Sequence, residues 1–323
     1  MILLLTHSGD FFTIDKVCDS LTQMGKDFFR VNTDLLPISY PMACEWGTGG
    51  KEELSIYLDE QTFLIGRDKI TAVWARRMWP ARFPDNCPPE VVQQCAPAAS
   101  ALVFETLGLL EDAHWINPLT EGKRAESKLL QLSMANELGF RVPNTLVSNH
   151  PEKIRDFFED HNGDIITKLL VPQVASMEAH PNFSYTCRVD RSHLDHLEQV
   201  RGMPQIFQPF VKKVREYRVA VVGQQIFTGC LPIPSEGPLS VDWRQATEND
   251  DLNWERAELP SELQERIHSM MEELGLVFGA FDFAETPEGE FVFFEVNQAG
   301  EWGMLEHHLD LPISRAIAEE LCT

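Results

Sequence analysis

Phe291–Trp302 reads FVFFEVNQAGEW: four residues of apolar strand, then a carboxylate, a carboxamide and a glycine nearby. Burying an unpaired carboxylate costs several kcal/mol, so Glu295 and Asn297 need partners or a site. Upstream, GAFDFAE ends at Glu285 and Thr-Pro-Glu-Gly (286–289) leads into the quoted stretch, which predicts a β-hairpin. With a four-residue loop, Asp282 lies opposite Phe293 and diagonal to Glu295, and Asn297 shares their face because side chains alternate with period two. Two carboxylates and a carboxamide then converge from rigid strands. That is hard-cation chemistry, since Mg²⁺ keeps waters and adds phosphate oxygens to one or two carboxylates. A polar solvent face of an antiparallel sheet is the plainer alternative, and a five-residue loop would flip the parity and scatter the trio.

A Mg²⁺–phosphate site also needs fixed cations. Lys168 sits in the apolar strand DIITKLL, where an unpaired ammonium is costly; it is a phosphate ligand or a lysine snorkelling at a strand end. Lys128 opens a helix, where free N–H groups already favour anions, though a plain surface position fits it equally. Glu216 and Arg218 alternate in REYRVAVV and share a face, so Arg218 can clamp a phosphate or acyl phosphate with Glu216 orienting it, or the two form an ordinary ion pair. Asp242-Trp243-Arg244 adds another guanidinium after a Pro/Gly-rich loop. No GxxxxGK[ST] or GxGxxG occurs, so a P-loop and a dinucleotide fingerprint are absent; GTGGK at 47–51 reads as a hairpin turn.

Working outward, ILLLTH is a buried strand, and Thr13 is placed to cap a helix with Ile14, Val17, Cys18, Leu21 and Met24 on one face. DFFRVNTD and TAVWARR read as strands, ACEWGTGG and KEELSIYLDE as a hairpin, and residues 86–116 as helical, up to a boundary at Asn117-Pro118. Strand–helix–strand order predicts an α/β layer with parallel pairing. Helices follow from Ser127 and over Pro151–Asp160, with a short one at RSHLDHLEQV. QIFQPFV is a strand interrupted by Pro209, and REYRVAVVGQQIFTGCLPI is a hairpin with Gly223 in its turn. A helix near 260–274 precedes the last hairpin, and PISRAIAEEL closes the chain.

The 323 residues carry a formal charge of −23, which argues against general nucleic-acid binding, because that rests on Lys and Arg neutralising phosphates. Basic residues are nonetheless gathered locally, at Arg76, Arg77 and Arg82 and at Lys212, Lys213, Arg215 and Arg218. No apolar run reaches the roughly 18 residues of a membrane span. Seven scattered cysteines without a CxxC pair argue against a disulfide framework or a zinc site and fit a reducing cytoplasm.

Lys128, Lys168, Gln208–Val211, Glu216/Arg218 and Asp282…Glu295-x-Asn297 resemble, in order and spacing, the pattern of an ATP-grasp ligase. Within that superfamily THSGDFF, VWARRM, VDWR and FFEVNQAGEW resemble the ligases that cyclise ribosomal precursor peptides, of the microviridin and plesiocin type, over nearly the whole chain. The resemblance implies an α/β (α+β) ATP-grasp fold. It implies an N-terminal α/β domain (1–117), a central subdomain with the lid and leader contacts (118–205) and a C-terminal subdomain with the Mg-ATP site (206–323). It implies ATP and Mg²⁺, with Lys128 and Lys168 on the phosphates and Gln208, Phe210 and Val211 at the adenine. Pro209 lacks an N–H, so the donor there falls to Phe210 or Val211. Asp282, Glu295 and Asn297 match the metal positions, and Arg218 and Arg244, with Glu216, the reacting centre.

The reaction so implied joins a Glu or Asp side-chain carboxylate of a precursor peptide to a Thr/Ser hydroxyl, or to a Lys amine, with ADP and phosphate released. The partners implied are that peptide, with a leader and an acidic core, and a second copy of the chain. Arg76, Arg77, Lys212, Lys213 and Arg215 are candidates to receive the core's carboxylates, with Asp242 a further substrate contact and a leader groove near 183–200. VPQVASMEAHPNFSY (171–185) departs from the pattern, with no glycine where many relatives have a Gly-rich lid. Two other readings fit less of the sequence: a ligase adding free amino acids, and a degenerate nucleotide-binding scaffold.

Overall fold

The computed structural model describes residues 1–48, 52–58, 61–64, 69–171, 186–246 and 252–323. The chain opens with β1 (Ile2–Thr6), α1 (Thr13–Gln23) and β2 (Phe28–Asn32), followed by β3 (Met42–Trp46), β4 (Glu52–Leu58), β5 (Gln61–Leu64), β6 (Ala72–Ala75), α2 (Pro89–Gly108) and β7 (His114–Ile116). A parallel sheet of order β2-β1-β6-β7 results, with β3–β5 as a separate antiparallel sheet. β1 is buried throughout, the usual state of a parallel strand covered on both faces, and so it reads as an unbroken apolar run. Connections leave β1 toward β2 on one side and return to β6 on the other. The carboxyl ends of β1 and β6 therefore border the crevice that open α/β sheets use for ligands.

Two expectations fail here. The helix expected over 86–116 stops at Gly108, and His114–Ile116 pairs with β6, because Trp115 and Ile116 are taken into the core of the sheet. Thr13 does not cap α1 through its side chain; Phe12 holds the cap position at φ 49°, and the Thr13 hydroxyl accepts from Arg76 (3.0 Å). Most of the GTGGK turn lies outside the described residues, as do residues 172–185 of the lid stretch.

α3 (Leu119–Ala125) and α4 (Lys128–Glu137) lead to β8 (Leu146–Ser148), α5 (Pro151–Asp160), β9 (Ile165–Leu169), β10 (Cys187–Arg188) and β11 (Gln205–Pro209). Ser127 caps α4, its hydroxyl accepting from the Leu130 N–H (3.4 Å). The sheet order is β10-β9-β11-β8. Ile154, Phe158, Leu194, Leu197 and Phe207 form its core with α5 and the 3-10 segment Arg191–Gly202.

The last part comprises β12 (Arg215–Val222), β13 (Gln225–Pro232), α6 (Pro238–Val241), β14 (Glu255–Arg256), α7 (Ser261–Leu274), β15 (Phe278–Glu285), β16 (Phe291–Asn297), α8 (Gly303–Leu309) and α9 (Ile313–Glu320). Its sheet runs β14-β13-β12-β15-β16, all antiparallel. One face packs Tyr217, Val219, Val221, Phe281, Phe283 and Phe293 beneath α7 and α4. On the other face, Ala220, Val222, Phe278 and Ala280 share a core with Ile2, Leu4, Ile14, Ile116, Ile313 and Ile317, which joins the N-terminal layer to this sheet. The remaining half of that second face carries Glu216, Arg218, Asp282, Glu295 and Asn297.

Candidate active site

The hairpin β15/β16 closes with five residues, 286–290, not four. Glu285 pairs with Phe291, Ala284 with Val292 and Phe283 with Phe293. Thr286 N–H donates to the Glu290 carbonyl (3.0 Å), and Gly289, at φ +81°, donates to Thr286 (2.9 Å). Left alone, that register would put Asp282 and Glu295 on opposite faces. A β-bulge at Phe294 inserts one unpaired residue, after which Asp282 faces Glu295 and Ala280 faces Asn297. Phe294 and Glu295 are consecutive and both half-buried, whereas their neighbours Phe293 and Val296 are buried. Phe294 escaped the sequence reading. Its signal is an FF pair beside a carboxylate where strict alternation fails.

Each polar group of this face is held by another element. Lys128 Nζ lies 2.7 Å from Glu295 and 3.3 Å from Asn297 Oδ1, and Asn297 Nδ2 donates to Glu295 (2.7 Å). One helical turn on from Lys128, buried Gln131 takes the Val296 N–H (3.1 Å) and donates to the Val296 carbonyl (2.8 Å), pinning β16 between its two polar residues. α4 thus supplies the cation and docks the strand. Burial would raise the Glu295 carboxyl, but Lys128 and Lys168 outweigh it and hold the group well below the ordinary range. Lys168, on β9 opposite Ile206, has its pKa lowered by burial and by Lys128 and Arg244, against the pull of Glu295 and Asp282. It faces the trio across the cleft between the two sheets.

Arg218 pairs in register with Asp282 and clasps it with Nη1 (2.7 and 2.8 Å), while Nε donates to the Glu301 carbonyl (2.9 Å). Glu216 does not orient it. Its carboxylate, whose pKa burial raises, takes Lys213 Nζ at 2.5 Å, and Lys213 also donates to the Val241 carbonyl (3.0 Å). Asp242 is buried and gives both oxygens to Arg244 (2.8 Å each) and one to the Thr186 N–H (3.1 Å). Burial opposes ionisation of Asp242, yet these donors hold its pKa low; Arg244 is raised, Asp242 prevailing over burial. An Asp242 so engaged positions Arg244 rather than meeting substrate itself.

Of the adenine candidates, Gln208 is buried and donates to Thr145 Oγ1 (2.9 Å). Phe210 gives its N–H to the Asp164 carbonyl (2.9 Å), so of the two expected donors Phe210 is already engaged; its ring lies under Arg188 at 3.7 Å. Pro209, Phe210, Val211 and Lys212 also line a cavity of about 530 Å³ with Arg141–Asn144 and the 286–288 turn.

The two basic clusters divide sharply. Arg76 is 1 % exposed, bonded to Thr13, the carbonyls of Ala299 and Gly300, and Glu301 (2.7 Å), so it ties layers together and is not positioned to receive a peptide. Arg77 is partly open, 3.3 Å from the same Glu301 oxygen. Lys212 is exposed, and Arg215 points outward to Glu285 (3.1 Å). Glu301, unremarked in the sequence, thus links Arg76, Arg77 and Arg218. Only the GEW tail of the opening stretch hints at it in the sequence.

Among the described residues no three of His, Cys, Asp and Glu converge as a metal cluster. Two carboxylates and a carboxamide beside two lysines fit a divalent cation only if phosphate oxygens complete its shell, which is the manner of Mg²⁺ with a nucleotide. No described helix is long and apolar enough to cross a membrane.

Residues 1–123 match the model of the MvdD pre-ATP grasp domain. Two macrocyclases from Microcystis aeruginosa share the fold. MdnB is 37% identical with 99% of this chain and 98% of that chain covered (TM-score 0.85). MdnC, bound with precursor peptide MdnA, is 30% identical with 100% and 99% covered (TM-score 0.87). A RiPP-associated ATP-grasp ligase of Chryseobacterium gregarium, in complex with ADP and a leader and core peptide, is 27% identical over 99% of this chain and 96% of its own (TM-score 0.88). The alpha-aminoadipate–LysW ligase LysX of Sulfurisphaera tokodaii is 24% identical over 213 residues, 66% of this chain and 73% of that protein. The chain belongs to the ATP-grasp macrocyclases of ribosomally made peptides and is an ATP-dependent carboxylate ligase.

Proposed function

We propose that this ligase activates Glu or Asp side-chain carboxylates of a ribosomal precursor peptide with ATP and closes ω-ester links to Thr or Ser. The observation that carries the reading is the Asp282, Glu295 and Asn297 face, restored by the bulge and set against Lys128 and Lys168. The proposal includes a homodimer, a cytoplasmic setting and the division of the chain at 117/118 and 205/206.

A carboxylate is a poor electrophile, and transfer of the γ-phosphoryl group makes it an acyl phosphate. Bound Mg²⁺ would be held by Asp282, Glu295 and Asn297 and would draw charge from the phosphate oxygens. Lys128 and Lys168 hold the phosphates, and Val211 offers its N–H to the adenine. Arg218 and Arg244 sit where charge develops on the transferring group, already aligned by Glu301 and Asp242, so little reorganisation is needed. The acceptor oxygen then attacks the acyl carbon, the C–O bond to phosphate breaks, and phosphate leaves. Water has to be kept out, because it competes for the acyl phosphate. Arg77, Lys212, Lys213 and Arg215 are the basic residues offered to an acidic core, with Lys213 and Arg215 already matched by acidic neighbours.

The test is mass spectrometry of a Thr- and Glu/Asp-rich peptide encoded beside this chain's gene, incubated with enzyme, ATP and Mg²⁺. Each ring should remove one water, and hydroxide should reopen it. Rings that survive hydroxide and need a lysine would replace ester by amide, and gain of a residue mass would replace cyclisation by amino-acid addition.

A further inference from the structure

His7, which follows β1, is buried, yet neither of its ring nitrogens has a hydrogen-bond partner among the described residues. A buried imidazole left unbonded costs stability, and folded chains rarely retain such a group without a use for it. Its ring is stacked on Trp79, with centroids 3.7 Å apart and planes 2° from parallel. Trp79 is half-buried, and its backbone is fixed by Thr33 Oγ1, which accepts from its N–H (2.9 Å) and donates to its carbonyl (3.1 Å). Only the indole is left to swing, and that motion uncovers the imidazole.

The loop that carries His7 lies beside the reacting centre. His7 leaves the carboxyl end of β1 as Arg76 and Arg77 leave that of β6, the two ends that border the crevice. Arg77 Nη2 is 3.3 Å from Glu301, whose carbonyl accepts from Arg218 Nε (2.9 Å). Farther along the same loop Phe12 is held at φ 49°, and its ring packs against Gly303, where a Cβ would come 3.0 Å from it. Backbone strain of this kind clusters at active sites, where the surroundings over-determine it. The charged groups facing His7 are Asp10 on its own loop, Asp34 after β2, and Arg76 and Arg77 after β6. All four have other partners: Asp10 takes the Thr6 hydroxyl, Asp34 takes the Ser8 N–H (2.7 Å) and hydroxyl (2.6 Å), and both arginines hold Glu301. Burial, helped by the arginines, outweighs the two carboxylates and lowers the imidazole's pKa, so the ring is neutral at neutral pH and can take a proton.

The carboxylates of the site itself are already engaged by cations: Asp282 by Arg218, Glu295 by Lys128, Glu216 by Lys213, Asp242 by Arg244 and Glu301 by Arg76. We propose that His7 accepts the proton of the acceptor hydroxyl during ring closure, the Trp79 indole swinging aside to admit that group. The hydroxyl oxygen bonds to the acyl carbon, and the carbon–oxygen bond to phosphate breaks with its electron pair leaving on phosphate. The hydroxyl proton passes to a His7 ring nitrogen and from there to solvent. This rests on the ligase reading above and adds to it the base for its second step.

The experiment uses the full chain and the precursor peptide encoded beside its gene, with ATP and Mg²⁺, and counts ADP by a coupled assay and rings by water losses in one reaction. His7→Phe keeps a flat ring on Trp79 and removes both nitrogens. Rings formed per ADP should fall about 10²-fold, because water then takes the acyl phosphate. Hydroxylamine should trap that intermediate as a hydroxamate on the peptide. The melting temperature should not fall, since the variant buries no unbonded nitrogen. His7→Gln, which can hydrogen-bond but cannot take the proton, should lose rings in the same way. In the wild type, rings per ADP should decline as pH falls below the ordinary imidazole value of 6.5, and His7→Phe should show no such decline. A His7→Phe protein with wild-type rings per ADP, one that loses rings only together with a lowered melting temperature, or a His7→Gln protein that closes rings normally would overturn the proposal. Absence of peptide-dependent ADP release from the wild-type chain would instead overturn the ligase reading.

Discussion

Two hairpins lie side by side in the C-terminal sheet and obey different rules. β12/β13 turns through Gly223-Gln224, with Gly223 at φ +54° in the first central position, and pairs without interruption from Arg215↔Pro232 to Val222↔Gln225. β15/β16 turns through five residues and then slips by one at Phe294. The regular hairpin supplies a flat, pre-aligned wall on which Arg218 meets Asp282 in register. The irregular one re-aims two consecutive side chains into the cleft. Regular pairing positions a site, and a local irregularity makes room for its chemistry.

Removing the carboxylates of the irregular hairpin's face is the strongest way to test that contrast. Asp282→Asn with Glu295→Gln should lower peptide-dependent ADP release by at least about 10³-fold, and ADP release surviving that change would remove this hairpin from the mechanism. Deleting Phe294 should instead leave Glu295 opposite Asp282 and Asn297 opposite Ala280 in an uninterrupted ladder, so the trio keeps its face. Gly223→Ala, on the regular hairpin, should by contrast lower stability and leave turnover per folded molecule unchanged, because Gly223 has a positive φ and lies far along the strand from Arg218.

Next in size is the apolar side of the irregular strand. Phe293 is fully buried among Phe140, Phe281 and Phe283. Phe293→Ala should cost about 3–5 kcal/mol in denaturant unfolding. Phe294→Ala should cost far less stability, because that ring is half-buried, but should weaken nucleotide binding. Equal stability losses at 293 and 294 would mean that the bulge does not divide the two faces.

The contrast also explains what the sequence revealed. The α/β layer, the E-x-R strand and the polar trio were legible because period-two alternation and apolar runs are local signals. The turn length was misjudged, and the trio survived only because the bulge cancelled the error. Neither feature has a period. Glu216 was assigned to Arg218 because in-strand spacing shows a shared face but not which cation arrives there, and Lys213 reaches it from the loop before β12. Asp242 was assigned to substrate because nothing in the spacing shows Arg244, in the 3-10 turn Trp243–Gln245, folding back onto it. Arg76 looked like a surface cluster with Arg77, but the partners that bury it, Thr13 and Glu301, are 63 and 225 residues away.

A smaller steric test lies at Gly300, which follows β16 closely enough that a Cβ would come 2.5 Å from Ala280 Cβ and 3.0 Å from both Arg218 Nη2 and Asn297 Cβ. Ala280 cannot yield, since its Cβ is fixed to β15. Gly300→Ala should therefore shift the 299–301 loop, costing about 1–3 kcal/mol, and should disturb Arg218 through the Glu301 carbonyl. A variant with unaltered melting temperature and turnover would show that the loop has slack.

The smallest effect is a pH dependence at the same loop. Burial alone would raise the Glu301 carboxyl above its ordinary 4.5, but Arg76 and Arg77, with the N–H groups of Gly303 and Trp302, prevail and lower it. A carboxyl depressed in the folded state contributes stability that is fully present above about 4.5 and is lost as pH falls through its lowered value. Unfolding midpoints measured from neutral pH down to acid should therefore drop for the wild-type chain below about 4.5. Glu301→Gln should start lower at neutral pH and fall less steeply, because the amide has no proton to gain. Glu319→Gln, paired with Arg315 on the open side of α9, offers the control: both side chains of that pair are largely exposed, so it contributes little. Parallel acid limbs for wild type and Glu301→Gln would place the acid sensitivity elsewhere and leave Glu301 a link between Arg76, Arg77 and Arg218 without a titrating role.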